Sequence, residues 1–533
     1  MNAEKLRLTP QLHRYISLFF LAVLSVGLYF SVFLVSVAGI ALAANWLWEG
    51  HYKNKITRLL HNKPALLVLG FFLLHVIGLL WTHHDINYGL KDIRIKLPLL
   101  LFPIVLGSVE AFTKREEKLL GSVFILSGIC ATLYSYYLYN VYYPHEITDI
   151  RNISTFNSHI RFSLLLVTGN ILLFYGIYTQ KIKGKAVYFA VFIMLWFTYF
   201  IGLLHVISGA LGLLAVVASA VFLFAGDVSL KYRTVIYSVL IISIVGITGY
   251  LTIKGYQYVK PKQDFNYDIT HTARGEAYTH NLENKERENG YFINHFIAHN
   301  ELENAWNERS NIDYHNLDKR GQPLHSTLIR FITSKGEKKD AAAVENLSVE
   351  EVQAIENGIA SKAYLNAKGL ELRMLKVLFE LNNYKSGADP RGHSVAMRFE
   401  FLKTGFYIFK KHPYAGTGTG DIKHAFEQAY IETQNPLPAQ YRYRAHNQFL
   451  TAAVTFGLPG LLLFLLCFVV PVKRALQRQN RFFVLFAALA AVSMLSEDTL
   501  ETQIGVTFFA LFFFVFLNNL QSTPQTHSKI PSQ

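Results

Sequence analysis

Four groups of residues in this chain combine types that suit chemistry on an anionic substrate. The first is Arg442-Tyr-Arg444-Ala-His446-Asn447, directly ahead of an apolar run. An imidazole titrates near neutrality and can take a proton from a hydroxyl, so His446 is a candidate general base, with Arg444 and Asn447 beside it. The plainer reading makes Asn447 the cap of a helix. The second group is Arg398 followed by Lys410-Lys-His-Pro-Tyr-Ala-Gly416-Thr-Gly418-Thr-Gly-Asp421. Alternating glycines can offer backbone N–H groups to a phosphate, but no Gly-Lys-Ser/Thr follows as in a P-loop, so a turn after a helix stop competes with that reading.

The third group is Asn157-Ser-His159-Ile-Arg161, at the head of another apolar run. Ionisable groups at such a boundary are costly unless paired or in use, or else they snorkel to the headgroups. The fourth is Lys91, Arg94 and Lys96, just before a span. These are either interfacial anchors or an anion site fit for a lipid-linked phosphate or diphosphate. Glu497, Asp498 and Glu501 supply acids that pair with such cations or orient a histidine.

The elements that position these groups are membrane spans. Of the 533 residues 51% are hydrophobic and only 17% charged, against about a quarter charged in soluble proteins. Charge is missing from twelve runs near 15–29, 31–48, 64–81, 97–112, 118–140, 160–178, 187–204, 206–226, 234–253, 446–470, 481–496 and 502–518. Most have the length that crosses a bilayer core of about 30 Å. The first two runs together overshoot one crossing, which predicts a tight hairpin. The net charge of +14 suits the basic cytoplasmic loops of a membrane protein better than nucleic-acid binding. Cys130 and Cys467 both lie in apolar runs and form no CxxC or disulfide framework. No cleavable signal sequence is evident at the start.

With the basic N-terminus cytoplasmic, the inside loops 49–63, 113–117, 179–186, 227–233 and 471–480 are all basic, as the positive-inside rule requires. The expected fold is therefore an all-α polytopic membrane protein of about 12 transmembrane helices, with a large, mostly helical periplasmic segment between spans 9 and 10. Residues 1–253 form an N-terminal membrane region of about nine spans. Residues 254–445 form the periplasmic segment. Residues 446–520 form a C-terminal region of about three spans, and 521–533 a cytoplasmic tail. Within the long segment, Ser348 and Glu351 read as a capping box ahead of Val352 and Ile355. This orientation, with both termini cytoplasmic, puts Lys91, Arg94, His159, Arg161, His205, Arg398, His446 and Glu497 on one side. Cations and a histidine around one interfacial cavity are what attack on a polyprenyl-diphosphate sugar needs.

Two motifs carry a resemblance: Arg398…Lys411-His-Pro-Tyr-Ala-Gly416-Thr-Gly418, and His446-Asn-Gln-Phe-Leu450…Phe456-Gly457-Leu-Pro-Gly460-Leu. With the span count and the large loop, they resemble the O-antigen ligase/polymerase family. Lys96–Pro103 and Ser496–Ala510 are similar to its ligase subgroup. The likeness is specific over 398–461 and absent over the insertion 256–390, so the family motif of the long segment is 395–445. The resemblance implies a GT-C-like glycosyltransferase of the bacterial inner (plasma) membrane, inverting, with no metal and no cofactor. It would move a glycan from undecaprenyl diphosphate to an acceptor hydroxyl at the periplasmic face, usually on lipid A-core. His446 would be the base; Arg161 and Arg398 would hold the diphosphate. Lys91, Arg94, His159, His205, Arg444, Asn447, Gly416 and Gly418 would line the substrates. Many relatives carry a Ser-Arg pair where this chain has His205-Val-Ile-Ser208-Gly209-Ala210, which leaves one cationic contact to His205 or Arg94. An O-antigen polymerase and a protein O-oligosaccharyltransferase share these motifs. A polysaccharide transporter or flippase is the more distant alternative, and a ligand sensor would leave the motifs without a use.

Overall fold

The computed structural model describes residues 8–142, 150–262, 266–367 and 369–519. Lys5, Arg7 and the tail 521–533 lie outside the described residues. Among the described residues nine helices are long and apolar enough to cross a membrane: Pro10–Phe30, Val32–Glu49, Lys63–Trp81, Lys114–Tyr142, His159–Tyr178, Lys185–Leu203, Ile207–Asp227, Leu230–Val259 and Gln448–Gln477. The runs predicted at 97–112, 481–496 and 502–518 coincide with the shorter helices Pro98–Ser108, Arg481–Ser496 and Gln503–Leu517. The architecture is all-α and polytopic.

The first two runs form a hairpin that turns on one residue. Ser31 leaves helical geometry, its N–H donates to the Gly27 carbonyl, and its hydroxyl caps the second helix at Leu34. At Gly27 a Cβ would stand 3.0 Å from the Val35 amide nitrogen, a tight contact that glycine avoids where the two helices meet. One apolar core runs through the bundle. Phe71, Phe102, Phe124, Leu165, Phe197, Phe486 and Phe512 all belong to it.

Two segments expected as loops are helical. Tyr52–Leu60 and Ile86–Lys96 each form a short helix. The second is capped by the Asp85 carboxylate, which accepts from the Tyr88 N–H at 2.8 Å. It buries Asp92 and Lys96, an i,i+4 pair at 2.6 Å, on one face. Its charges spoil the hydropathy signal, although their spacing is helical.

The long segment contains a second, separate core. Leu302, Trp306, Leu328, Phe331, Ile332 and Ile355 pack together between short helices, among them His299–Asn307, Leu324–Lys335 and Val349–Glu356. The Ser348–Glu351 capping box is present. A two-stranded ribbon pairs Arg287–Glu288 with Tyr291–Phe292. Its turn is Asn289-Gly290, both at positive φ, the pair favoured in tight hairpins. The spanning helix Leu230–Val259 enters this core directly: the Tyr258 hydroxyl donates to Glu288 at 2.5 Å and lies 3.0 Å from the Tyr364 hydroxyl.

A third core joins helices Ser394–Lys411 and Ile422–Glu432 to the first half of Gln448–Gln477, through Phe401, Ile408, Phe426, Tyr430, Leu450 and Val454. The long helix is kinked at Gly457 (φ 66°, ψ −160°), followed by Pro459. The kink has a backbone consequence. Pro459 has no N–H for the Thr455 carbonyl, and the Leu458 N–H donates instead to Pro413 at 2.7 Å. The carbonyls of Val454 and Thr455 therefore need other donors.

The glycine-rich loop supplies them. Thr417 and Gly418 donate to Val454 and Thr455, each at 2.9 Å. Gly416 has φ +67°, and a Cβ there would meet the Thr455 and Phe456 backbone at 2.3 Å. Gly416→Ala is thus expected to lower the thermal midpoint of the purified protein, at a cost of about 1–3 kcal/mol for the strained conformation. An unchanged midpoint in a thermal-shift assay would show that the loop can yield.

Candidate functional site

The turn Ser496–Thr502, between helices Arg481–Ser496 and Gln503–Phe514, carries three acids that organise the candidate site. Glu497 is buried. It pairs with Arg398 from the first turns of helix Ser394–Lys411, and its other oxygen lies 3.5 Å from His446 Nδ1. Arg161, at the head of helix His159–Tyr178, is within electrostatic reach of the same carboxylate. Burial alone would raise the Glu497 carboxyl. The neighbouring His446, with the Arg398 and Arg161 guanidinium groups, outweighs burial and holds it below its ordinary value. Two of the three residues named for catalysis thus pair with one carboxylate and the third, Arg161, lies near it, drawn from three separate parts of the chain.

His446 is held by its backbone as well as its ring. It takes φ +47°, the left-handed region that most residues other than glycine avoid. Asp498 secures that conformation. It accepts from the His446 N–H at 3.1 Å and from the Thr451 hydroxyl at 2.7 Å. The imidazole lies against Phe401, with ring centroids 5.4 Å apart, and edge-on to Tyr443 at 6.2 Å. Nδ1 approaches Glu497 without making a hydrogen bond among the described residues, and Nε2 is the nitrogen left for a substrate. A carboxylate at Nδ1 favours the tautomer in which Nε2 carries the lone pair.

Arg161 borders an open groove of about 420 Å³ with Thr155, Asn157, Ser158, Thr502 and Gln503. Its Nε is buried and has no hydrogen-bond partner among the described residues. Ser158 makes no side-chain cap at the start of that helix, so first-turn N–H groups lie beside a cation, an arrangement that favours anions.

A second charged network sits alongside. Glu501 accepts from Lys96 at 2.9 Å, Arg444 at 3.0 Å and Gln448 at 3.1 Å, and Arg444 also donates to the Tyr88 hydroxyl at 2.8 Å. Burial pushes the Glu501 carboxyl up, but Arg444 and Lys96 overcome it and hold the group well below the usual carboxylate range. Asp498 lies the other way, with burial raising it against the opposing pull of Arg444.

The remaining residues named from the sequence are more dispersed. Arg444 is committed to Glu501 and Tyr88. The Asn447 side chain caps helix Gln448–Gln477 at Leu450 (2.9 Å) and donates to the Leu495 carbonyl (3.0 Å). The amides of Gly416 and Gly418 donate to the backbone of His412 and Thr455. Lys91 and Arg94 stand on the exposed face of their helix. His159 begins the Arg161 helix. His205 is exposed in its turn, at φ 51°. That turn still reaches the site's edge, because the Ser208 and Ser496 hydroxyls are 3.1 Å apart. Phe401, Tyr443, Thr451 and Gln448 surround the site; Phe401 and Thr451 gave no signal in the sequence, while Tyr443 and Gln448 lie inside the motifs without a role of their own. Among the described residues no group of three or more His, Cys, Asp or Glu side chains is placed to hold a metal ion.

Residues 353–465 match the family model described as O-antigen ligase. The match begins within helix Val349–Glu356, inside the stretch read as an insertion, and takes in Arg398, the glycine loop and His446; Arg161 and Glu497 lie outside it. No curated protein matches the chain. The match supports the O-antigen ligase family, a glycosyltransferase family of the ligase/polymerase type, in a multi-pass membrane protein.

Proposed function

From an O-antigen ligase domain that contains both Arg398 and His446, we propose that this chain moves a glycan from undecaprenyl diphosphate to an acceptor hydroxyl of lipid A-core, at the periplasmic face of the inner membrane. The reading rests on one observation, the Glu497 carboxylate shared by His446 and Arg398 with Arg161 nearby. His446 Nε2 takes the proton of the acceptor hydroxyl. The acceptor oxygen bonds to the anomeric carbon as the carbon–oxygen bond to the diphosphate breaks. One such displacement inverts the anomeric centre. The leaving diphosphate takes the electron pair, and Arg161 and Arg398 stabilise its charge.

Two measurements test this. Arg161→Lys and Arg398→Lys should each restore only part of the donor use lost in the alanine variants, because an ammonium cannot reproduce the two-pronged guanidinium contact to phosphate oxygens. Full restoration by lysine would remove the diphosphate role. Deletion and complementation, with glycan blots read against lipid A-core, fixes the acceptor. Core lacking glycan supports the ligase. Core capped with a single repeat would instead indicate a polymerase. Normal lipopolysaccharide with unglycosylated protein would indicate a protein transferase.

A further inference from the structure

Helix Ser394–Lys411 carries apolar side chains on two faces. Ala396, Phe401, Thr404, Gly405 and Ile408 are buried against the protein. On the other side Phe399, Lys403, Phe406 and Lys410 are all exposed. Their spacing of four, three and four residues puts them on a single stripe. Tyr384 stacks on Phe399, with centroids 5.9 Å apart, and covers part of it. Lys403 reaches Glu400 at 3.0 Å. Phe406 remains 55% exposed, and Tyr414, just beyond the helix, 84% exposed. A water-facing helix does not usually present such aromatics, and a spanning helix does not carry lysines at this density.

The helix ends against a membrane-crossing one. Behind the helix, Pro413 accepts from the Leu458 N–H at 2.7 Å, on the spanning helix Gln448–Gln477. From that point Leu458, Leu462, Leu465 and Val469 are exposed in the same four-three-four pattern. Exposed Tyr414 thus meets the membrane-crossing helix at Gly457 and Leu458, at the end of the helix that carries Phe406, Lys410 and the Lys403 that also reaches the Tyr384 hydroxyl.

We propose that this face of helix Ser394–Lys411 lies in the headgroup layer of the membrane, its phenylalanines in the upper acyl region and its lysines on anionic lipid headgroups. Arg398, next to Phe399, is thereby held at headgroup depth.

The test is collision accessibility of a nitroxide on Phe406→Cys, in full-length protein with Cys130→Ala, reconstituted in nanodiscs of phosphatidylethanolamine and phosphatidylglycerol. Labels on Leu466→Cys and Glu308→Cys serve as deep and aqueous references. The expected depth is about 5–10 Å into the headgroup–acyl boundary, with the label shallower in discs lacking phosphatidylglycerol. Lys403→Gln/Lys410→Gln should abolish that lipid dependence. An accessibility equal to the Glu308 label overturns the proposal, as does a depth equal to the Leu466 label. Protection from both oxygen and the aqueous nickel probe would place protein on this face and overturns it too. A depth indifferent to anionic lipid overturns the role of the lysines. None of these readouts depends on which acceptor the site uses.

Discussion

His446→Ala is expected to abolish glycan transfer while the protein still inserts and folds. A positioned general base contributes about 10²- to 10⁴-fold to a rate, and a sugar hydroxyl gives up its proton reluctantly, so loss of the imidazole leaves only what positioning and the cations supply. The alanine variant alone is ambiguous, because residue 446 sits at φ +47°. His446→Asn addresses this, since asparagine tolerates the left-handed region better than most residues and the Asp498 bond to the backbone N–H survives. The expected result is a thermal midpoint near that of the unaltered protein, with transfer lost in both variants. Membrane extracts assayed for core-linked glycan give the activity, and thermal shift in detergent gives the fold. Transfer retained by His446→Asn would remove His446 from the role of base.

The spans were legible because a bilayer imposes a length and an apolar composition that few other structures demand. Helix Ile86–Lys96 was not, because its buried face is an ion pair rather than an apolar stripe. The glycine loop shows a subtler limit. Its alternating glycines read as a turn sooner than as a phosphate cradle, since no Gly-Lys-Ser/Thr follows, but the sequence held no structural reason for that choice. The choice depends on two carbonyls stranded by Gly457 and Pro459, some forty residues onward, which the Thr417 and Gly418 amides satisfy. For His446-Asn447 the two competing readings apply to different residues: Asn447 caps the helix, and the histidine before it is free to face Glu497. The charge rule gathered Arg161, Arg398, His446 and Glu497 to one side, but only the fold could show that a single carboxylate joins them. Arg398 and Glu497 are 99 residues apart, and no local pattern encodes such a pair.

Glu497→Gln separates positioning from charge. The amide keeps the size of the side chain but loses the ion pair with Arg398 and the carboxylate that faces Nδ1. A histidine base without its orienting carboxylate samples the wrong tautomer, and related substitutions cost up to about 10⁴-fold; a loss of about 10²-fold or more in kcat is expected here. Donor binding should move the other way. With the carboxylate gone, two guanidinium groups lose a competing anion, so KM for the lipid-linked donor should fall. Arg398→Ala should raise it. That split is the diagnostic, since a merely structural role for Glu497 would lower the amount of folded enzyme and leave KM for the donor where it was. Glu497→Asp, shorter but still charged, should recover part of kcat. The pH dependence follows from the same pairing. Because the folded protein holds this carboxyl below its ordinary value, the pairing's stabilisation is fully present above the ordinary carboxylate range and is lost as pH falls through the lowered value. The unaltered protein should therefore keep its thermal midpoint across the neutral range and lose more of it in acid than Glu497→Gln does. A glutamine variant with an unchanged kcat, or with a donor KM raised as in Arg398→Ala, would rule out the orienting role.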